Sequence, residues 1–362
     1  MPAPISLDTI RSLPKVLLHD HLDGGLRPAT VIELADTIGW SLPSTDVGEL
    51  SAWFTAGAST KDLSKYLATF EHTLAVMQHE DAIRRVAREA VEDLVADGVV
   101  YAEIRFAPEL HQDQGLSLQE IVEAVADGVR TAERDAAAAG TPITVNLILC
   151  AMRTGDRSLE IATFTERVRF TEPKVVAFDL AGAETGFPPS MHAEALAHAR
   201  THLLNLTIHA SEPPDLELIS DALAHGAHRI GHGVRLQSGM LLTPNGQAIL
   251  GQLARYVMDH QIHLEMAPTC HVHVGAVESI EAHPIARFLR LGFNVGINTD
   301  NRLMSDVTVS GEYHVVATTH ELSWAEVEQL VVNGLRSSFA PREQRERLVN
   351  DVVRPAFAAV SS

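Results

Sequence analysis

This sequence predicts an α/β fold, a (β/α)8 barrel of the TIM type, from three observations. Eight short β-rich runs recur along the chain. Alanine-rich amphipathic stretches separate them, and polar residues gather at the C-terminal ends of the runs. Alternating strand and helix signals imply parallel strands joined by crossover helices. Eight such strands close a barrel, and barrels carry their chemistry at that end. An open doubly wound sheet is the runner-up, but no Gly-x-Gly-x-x-Gly opens a helix after the first run.

The first run, Lys15–His21, has the apolar stretch Val16–Leu18 leading to His19 and His21. Side chains alternate along a strand, so these two imidazoles point the same way. The region 32–78 is too long for one crossover, and Trp40, Pro43, Trp53, Phe54 and Gly57 interrupt it. It reads as a helical insertion on the rim, either a lid or a fixed decoration. An amphipathic helix follows over Ala82–Asp97, with Ile83, Val86, Ala87, Ala90, Val91 and Leu94 on one face. The remaining runs are Val99–Phe106, Ile143–Cys150, Lys174–Leu180, Asn205–His209, Arg229–His232, Ile262–Met266 and Phe293–Asn298. Gln119–Ala138 and Met191–Leu203 are further crossover helices. No strand–strand hairpin is expected. Residues 1–362 read as one domain that ends in extra helices after Ser323, with Pro355 near the start of the last.

Bulk properties narrow the function. A net charge of -19 argues against a nucleic-acid partner, since phosphates need a basic surface. Two cysteines, Cys150 and Cys270, are too few for a disulfide framework and suit a reducing cytoplasm, each read as filling a strand end. Pro2, Pro4, Asp8 and Arg11 break the N-terminal apolar stretch, so no signal peptide is expected, and no apolar run is long enough for a membrane span. The 19 histidines invite a search for a metal site. Monomer and homo-oligomer both stay open.

His19, His21, His209 and Asp300 stand at three strand ends and supply three nitrogens and one oxygen. With a water they make a set that suits one catalytic Zn²⁺ per chain. Zinc lowers the pKa of its water to about 7. Glu212 lies three residues past His209, and a carboxyl group in a dry pocket has a raised pKa and can donate a proton. His232, read as sitting on a flexible Gly-His-Gly loop, is suited to hold or deprotonate the water. Asp179 and Glu265 are candidates for orienting the histidines, or for plain rim hydrogen bonds.

Five motifs carry a resemblance. They are Pro14-Lys-Val-Leu-Leu-His-Asp-His-Leu-Asp-Gly24, Val176-Ala-Phe-Asp-Leu-Ala-Gly182, Ile208-His-Ala-Ser-Glu212, Arg229-Ile-Gly-His-Gly233 and Ile297-Asn-Thr-Asp-Asn301. With the continuation to Ser305, the chain resembles the adenosine deaminase family, the barrel branch of the amidohydrolase superfamily, in the manner of its bacterial members. The resemblance implies a purine-nucleoside substrate and zinc ligands His19, His21, His209 and Asp300. It implies that Glu212 protonates purine N1, that His232 positions the attacking water, and that Asp300 orients its attack. Substrate contacts would come from His21, from Asp23 to a ribose hydroxyl, from the Gly182 N–H to N3 and from Asn301 to N7.

Three departures bear on the expected activity. Ser211 stands where many members have glycine, and a positive φ there would strain it. Asn301 replaces a second aspartate, and its amide donates to N7 without needing a proton. His271 and His273 form a second His-x-His where small and amide side chains are usual. They are read as lining the substrate mouth or as loop residues, with a rival metal pair as the lesser reading. The expected reaction is hydrolytic deamination of adenosine or 2′-deoxyadenosine. A relative acting on a 5′-modified adenosine, such as 6-aminodeoxyfutalosine or 5′-deoxyadenosine, is the alternative. Another metal hydrolase, or a nucleoside-binding protein without catalysis, stands further off.

Overall fold

The computed structural model describes residues 5–61, 63–242 and 248–361. Its strands are β1 (Lys15–His21), β2 (Val99–Phe106), β3 (Thr144–Met152), β4 (Val175–Ala181), β5 (Asn205–Ala210), β6 (Arg229–His232), β7 (Met240–Leu242), β8 (Ala248–Leu250), β9 (His263–Met266) and β10 (Val295–Ile297). Eight of them pair in the order β1-β2-β3-β4-β5-β6-β9-β10, every pair parallel. The ends meet through a bridge between Asp20 and Asp300, with His21 N–H donating to the Asp300 carbonyl at 2.7 Å and Asp300 N–H to the His19 carbonyl at 2.9 Å. The Asn298 side-chain oxygen accepts from the Leu18 and His19 amides and completes the seam. This is the (β/α)8 barrel that the alternation of elements predicts.

Two details differ from the sequence reading. β7 and β8 pair antiparallel, so the chain does contain a hairpin, placed between β6 and β9 and outside the barrel. Each strand is only three residues long and carries an exposed apolar side chain, Leu241 and Ile249. So short a stretch shows no period. The second difference is that β3 runs on to Met152, while β10 is shorter than its β-rich run.

The crossover helices form for the expected reason. Glu80–Ala96 buries Ile83, Val86, Ala87, Ala90, Val91 and Leu94 against the sheet. Leu118–Ala138 starts at a capping box of Ser117 and Glu120. Between β1 and β2 the chain folds into helices Pro28–Ile38, Val47–Ala58, Leu63–Ala68 and Phe70–Val76. After Ser323 come Trp324–Ser337, Arg342–Arg347, a π-helical turn Leu348–Val353, and Arg354–Ser361 with Pro355 in its first turn.

A buried charged network runs through the barrel interior up to the site. Glu103 and Arg105 of β2, Arg229 of β6 and Glu265 of β9 are all buried. Arg229 bonds Glu103 at 2.7 Å and Glu265 at 2.6 Å. Arg105 bonds Glu265 and Asp179, each at 2.7 Å. Buried charges persist when each is paired in this way.

Candidate active site

Three of the strand-end residues have a left-handed backbone: Ser211 (φ 70°), His232 (φ 67°) and Asp300 (φ 60°). Such backbones in residues other than glycine cluster where function over-determines the structure. The turns they make at the ends of β5, β6 and β10 re-aim the chain at the barrel mouth. Ser211 is therefore strained as its departure from glycine predicts, and its hydroxyl is buried without a partner.

His19, His21, His209 and Asp300 come together, with one donor atom from each within 4.8 Å of all the others. The His21 and His209 Nε2 atoms lie 3.1 Å apart. Asp300 Oδ1 is 3.4 Å from His19 Nε2 and 3.5 Å from His21 Nε2. Behind them, His19 Nδ1 donates to Glu265 Oε2 at 2.9 Å, and His209 Nδ1 donates to Asp179 Oδ2 at 3.0 Å. Both carboxylates are themselves held by Arg105. A neutral imidazole with its proton on Nδ1 presents a lone pair at Nε2, and His19 Nε2 is buried with no hydrogen-bond partner. Burial opposes charge on His19, but the Asp300 and Glu265 carboxylates outweigh it and raise its pKa. Lone pairs converging on one point beside a carboxylate form a place for positive charge, and a divalent metal fits it.

Gly231 faces the same space. A Cβ there would stand 3.1 Å from the His19 ring and from the His209 Cα, closer than ordinary contact, so a larger residue would press on two of the histidines.

Glu212 is buried beside this cluster. Burial, then the Asp300 and Glu184 carboxylates, push its pKa well above the usual range and so favour its protonated form. Glu184 accepts from the Ser211 and Glu212 amides at 2.7 and 3.3 Å and fixes the turn that carries Glu212.

His232 is the last residue of β6 and is buried, so the flexible loop expected there is instead the end of a strand. Its ring packs 4.8 Å from the His19 ring and 5.2 Å from the His209 ring. Asp23 lies in a 3-10 turn after β1. Its Oδ1 is buried without a partner, and burial is the main force pushing its pKa up to about 7. Asn301 Oδ1 is also unpartnered and fills the space that a Cβ on Gly24 would take. Gly182 follows β4 with φ 94°, and a Cβ there would meet Met152.

Two residues enter where the sequence placed them elsewhere. Cys270 is not a strand-end filler: its thiol donates to Asp300 Oδ2 at 2.8 Å and lies 3.8 Å from the Tyr66 hydroxyl. His271 lines no mouth and sits in no loop. It is fully buried in the helix Pro268–His273, with its ring on His232. His273 is only partly buried. Neither joins any metal-competent group among the described residues. Both surprises follow Pro268, which starts a helix too short to show a period.

An eight-stranded parallel barrel, with a His/Asp cluster at its rim able to hold a metal, is the build of a metal-dependent barrel hydrolase. The sequence model of the adenosine deaminase family matches residues 14–355. A Mycobacterium marinum protein named adenosine deaminase is 47% identical over 357 residues, covering 98% of both chains. One of the same name from Mycolicibacterium gilvum is 47% identical over 362 residues, covering 99% of both. A solved structure of adenine deaminase from Arthrobacter aurescens superposes with a TM-score of 0.79 at 27% identity, covering 94% of this chain and 98% of that one. The chain belongs to the adenosine deaminase family.

Proposed function

We propose that this chain deaminates adenosine and 2′-deoxyadenosine by hydrolysis, giving inosine or 2′-deoxyinosine and ammonia. The single observation that carries it is Glu212, a buried carboxyl set beside three histidines and an aspartate, where burial and neighbouring carboxylates favour its protonated form, in a chain of this family. His19, His21, His209 and Asp300 would hold one divalent ion, and three imidazoles with one carboxylate suit zinc. When bound, such an ion makes water acidic near neutral pH.

The chain's own groups supply the rest. Glu212 gives its proton to purine N1 while water adds at C6. One of the water's two protons passes by way of Asp300 to the departing amine and the other returns to Glu212, and ammonia leaves C6 as the carbonyl forms. His232 and Asp300 hold the attacking oxygen on one face of the ring. Asp23 takes a ribose hydroxyl, the Gly182 N–H takes N3, the Asn301 amide takes N7, and His21 borders the same space. Residues 1–362 form one barrel domain in this reading, and 32–78 roofs the site. The contacts of Tyr66 with Cys270 at 3.8 Å and of Lys61 N–H with the His273 carbonyl at 3.0 Å support that placement. The enzyme is placed in the cytoplasm, which suits Cys150 and Cys270, both free and buried.

The mycobacterial relatives and the inward position of His271 both favour adenosine over a 5′-modified nucleoside. Ammonia release from adenosine, 2′-deoxyadenosine, 5′-deoxyadenosine and 6-aminodeoxyfutalosine, with metal analysis of the same sample, tests the reading. Fast turnover of the first two with about one zinc per chain is expected. Negligible turnover of adenosine beside fast turnover of a 5′-modified nucleoside would overturn the substrate, and full activity without bound metal would overturn the zinc.

A further inference from the structure

Behind His232 stands a line of imidazoles that the reaction as described does not use. His232 Nδ1 lies 3.0 Å from His271 Nε2, and His271 Nδ1 lies 2.9 Å from His283 Nε2. His283 Nδ1 in turn accepts from the backbone N–H of Ile285 at 3.2 Å. All three side chains are buried. The His271 and His283 rings are nearly coplanar, 5° apart with centroids at 5.2 Å, the geometry of an in-plane hydrogen bond between rings.

The far end sets the direction of the whole line. A backbone N–H only donates, so His283 Nδ1 must offer its lone pair. The proton of His283 then sits on Nε2 and is donated to His271 Nδ1. That places the His271 proton on Nε2, where it is donated to His232 Nδ1. The opposite direction would leave His283 with two accepting nitrogens and no proton. Each member is held in place. His271 has its amide bonded to the Ala267 carbonyl at 2.9 Å inside the helix, and the His283 amide bonds the Ile280 carbonyl at 3.0 Å.

We propose that His271 and His283 are positioning residues that lock His232 with its proton on Nε2, so that His232 meets the reacting oxygen as a hydrogen-bond donor and not as a base. This rests on the reading of His232 as a catalytic residue. With Nδ1 occupied and Nε2 protonated, the ring has no lone pair for the water's proton. It orients the oxygen and stabilises the negative charge that develops there. The line ends on a backbone amide, which has no lone pair to take a proton, so it fixes a tautomer and carries no proton away.

Two substitutions of similar size separate hydrogen bonding from packing. In His271→Gln the amide nitrogen reaches the place of Nε2 and donates to His232 Nδ1. In His271→Met nothing donates. The expected result is kcat within about threefold of the wild type for H271Q and a fall of about tenfold or more for H271M, with KM and metal content unchanged in both. 15N NMR of histidine-labelled enzyme, with the His232 signals identified by their loss in His232→Gln, should show Nε2–H in the wild type and in H271Q, and a tautomer mixture in H271M. Should H271M fail to fold, His283→Met gives the second reading, a tautomer mixture at His232 with reduced kcat. An Nδ1–H tautomer in the wild type, equal losses in H271Q and H271M, or wild-type kcat in H271M would overturn the proposal. The NMR result does not depend on substrate, so a failure of adenosine turnover is distinguishable from a failure of the lock.

Discussion

Burial gives Glu212 its chemistry. A carboxyl exposed to water would be ionised at pH 7, and two neighbouring carboxylates make ionisation harder still. Glu212→Gln keeps the shape and hydrogen-bonding capacity but removes the acidic proton. Its kcat should fall by about 10²- to 10⁴-fold, while metal content and thermal stability stay near those of the wild type. Steady-state kinetics with metal analysis of the purified variant checks this, and an active Gln variant would remove Glu212 from the proton-donor role. Much at this scale was legible in advance. His19 and His21 face one way because strands alternate, and their rings do lie 5.4 Å apart. Cys270 and His271 were not legible. Both reach the site from a six-residue helix whose direction no local pattern reveals.

Each strand of the barrel ends in a turn, and the turn decides where a side chain points. After β5 the backbone of Ser211 is left-handed, which costs a residue with a Cβ about 1–2 kcal/mol. Ser211→Gly removes that cost and a buried, unpartnered hydroxyl, although glycine also gains freedom in the unfolded chain. The net expectation is stabilisation of about 1 kcal/mol, read as a higher midpoint in chemical denaturation, with kcat within a few-fold of the wild type. A destabilised S211G would show that the strain is relieved elsewhere. The β-rich runs located all eight barrel strands, since buried parallel strands read as apolar stretches. The hairpin β7–β8 escaped that test. Asn245-Gly246, a strong turn dipeptide, was the available signal for it.

Across the whole molecule, stability depends on histidines buried without charge. His111 donates from Nδ1 to the Met77 carbonyl at 3.0 Å, and burial lowers its pKa to about 4. In the unfolded chain it titrates near 6.5. Between these values the unfolded chain binds the extra proton, so this contribution is complete above about pH 6.5 and is lost as pH falls toward 4. From pH 7 to pH 5 the loss amounts to about 2 kcal/mol. His111→Gln, neutral at every pH, should lose about that much less than the wild type over the same interval in urea titrations at the two pH values. Equal losses in both proteins would remove His111 as the source.

By itself the sequence determined the class of fold, the face that His19 and His21 share, and the strand ends that bear His209, Glu212, His232 and Asp300. These follow from periods of two and 3.6 residues and from the chemistry of single side chains, which are local properties. Only the tertiary structure decided which of those ends meet across the barrel mouth. It also placed the Cys270 thiol on Asp300 and joined His232 to His271 and His283, and through Arg105 it held Asp179 and Glu265 behind the histidines. Barrel closure sets such contacts by bringing together residues as far apart in the chain as His19 and Asp300, and no local period encodes that distance.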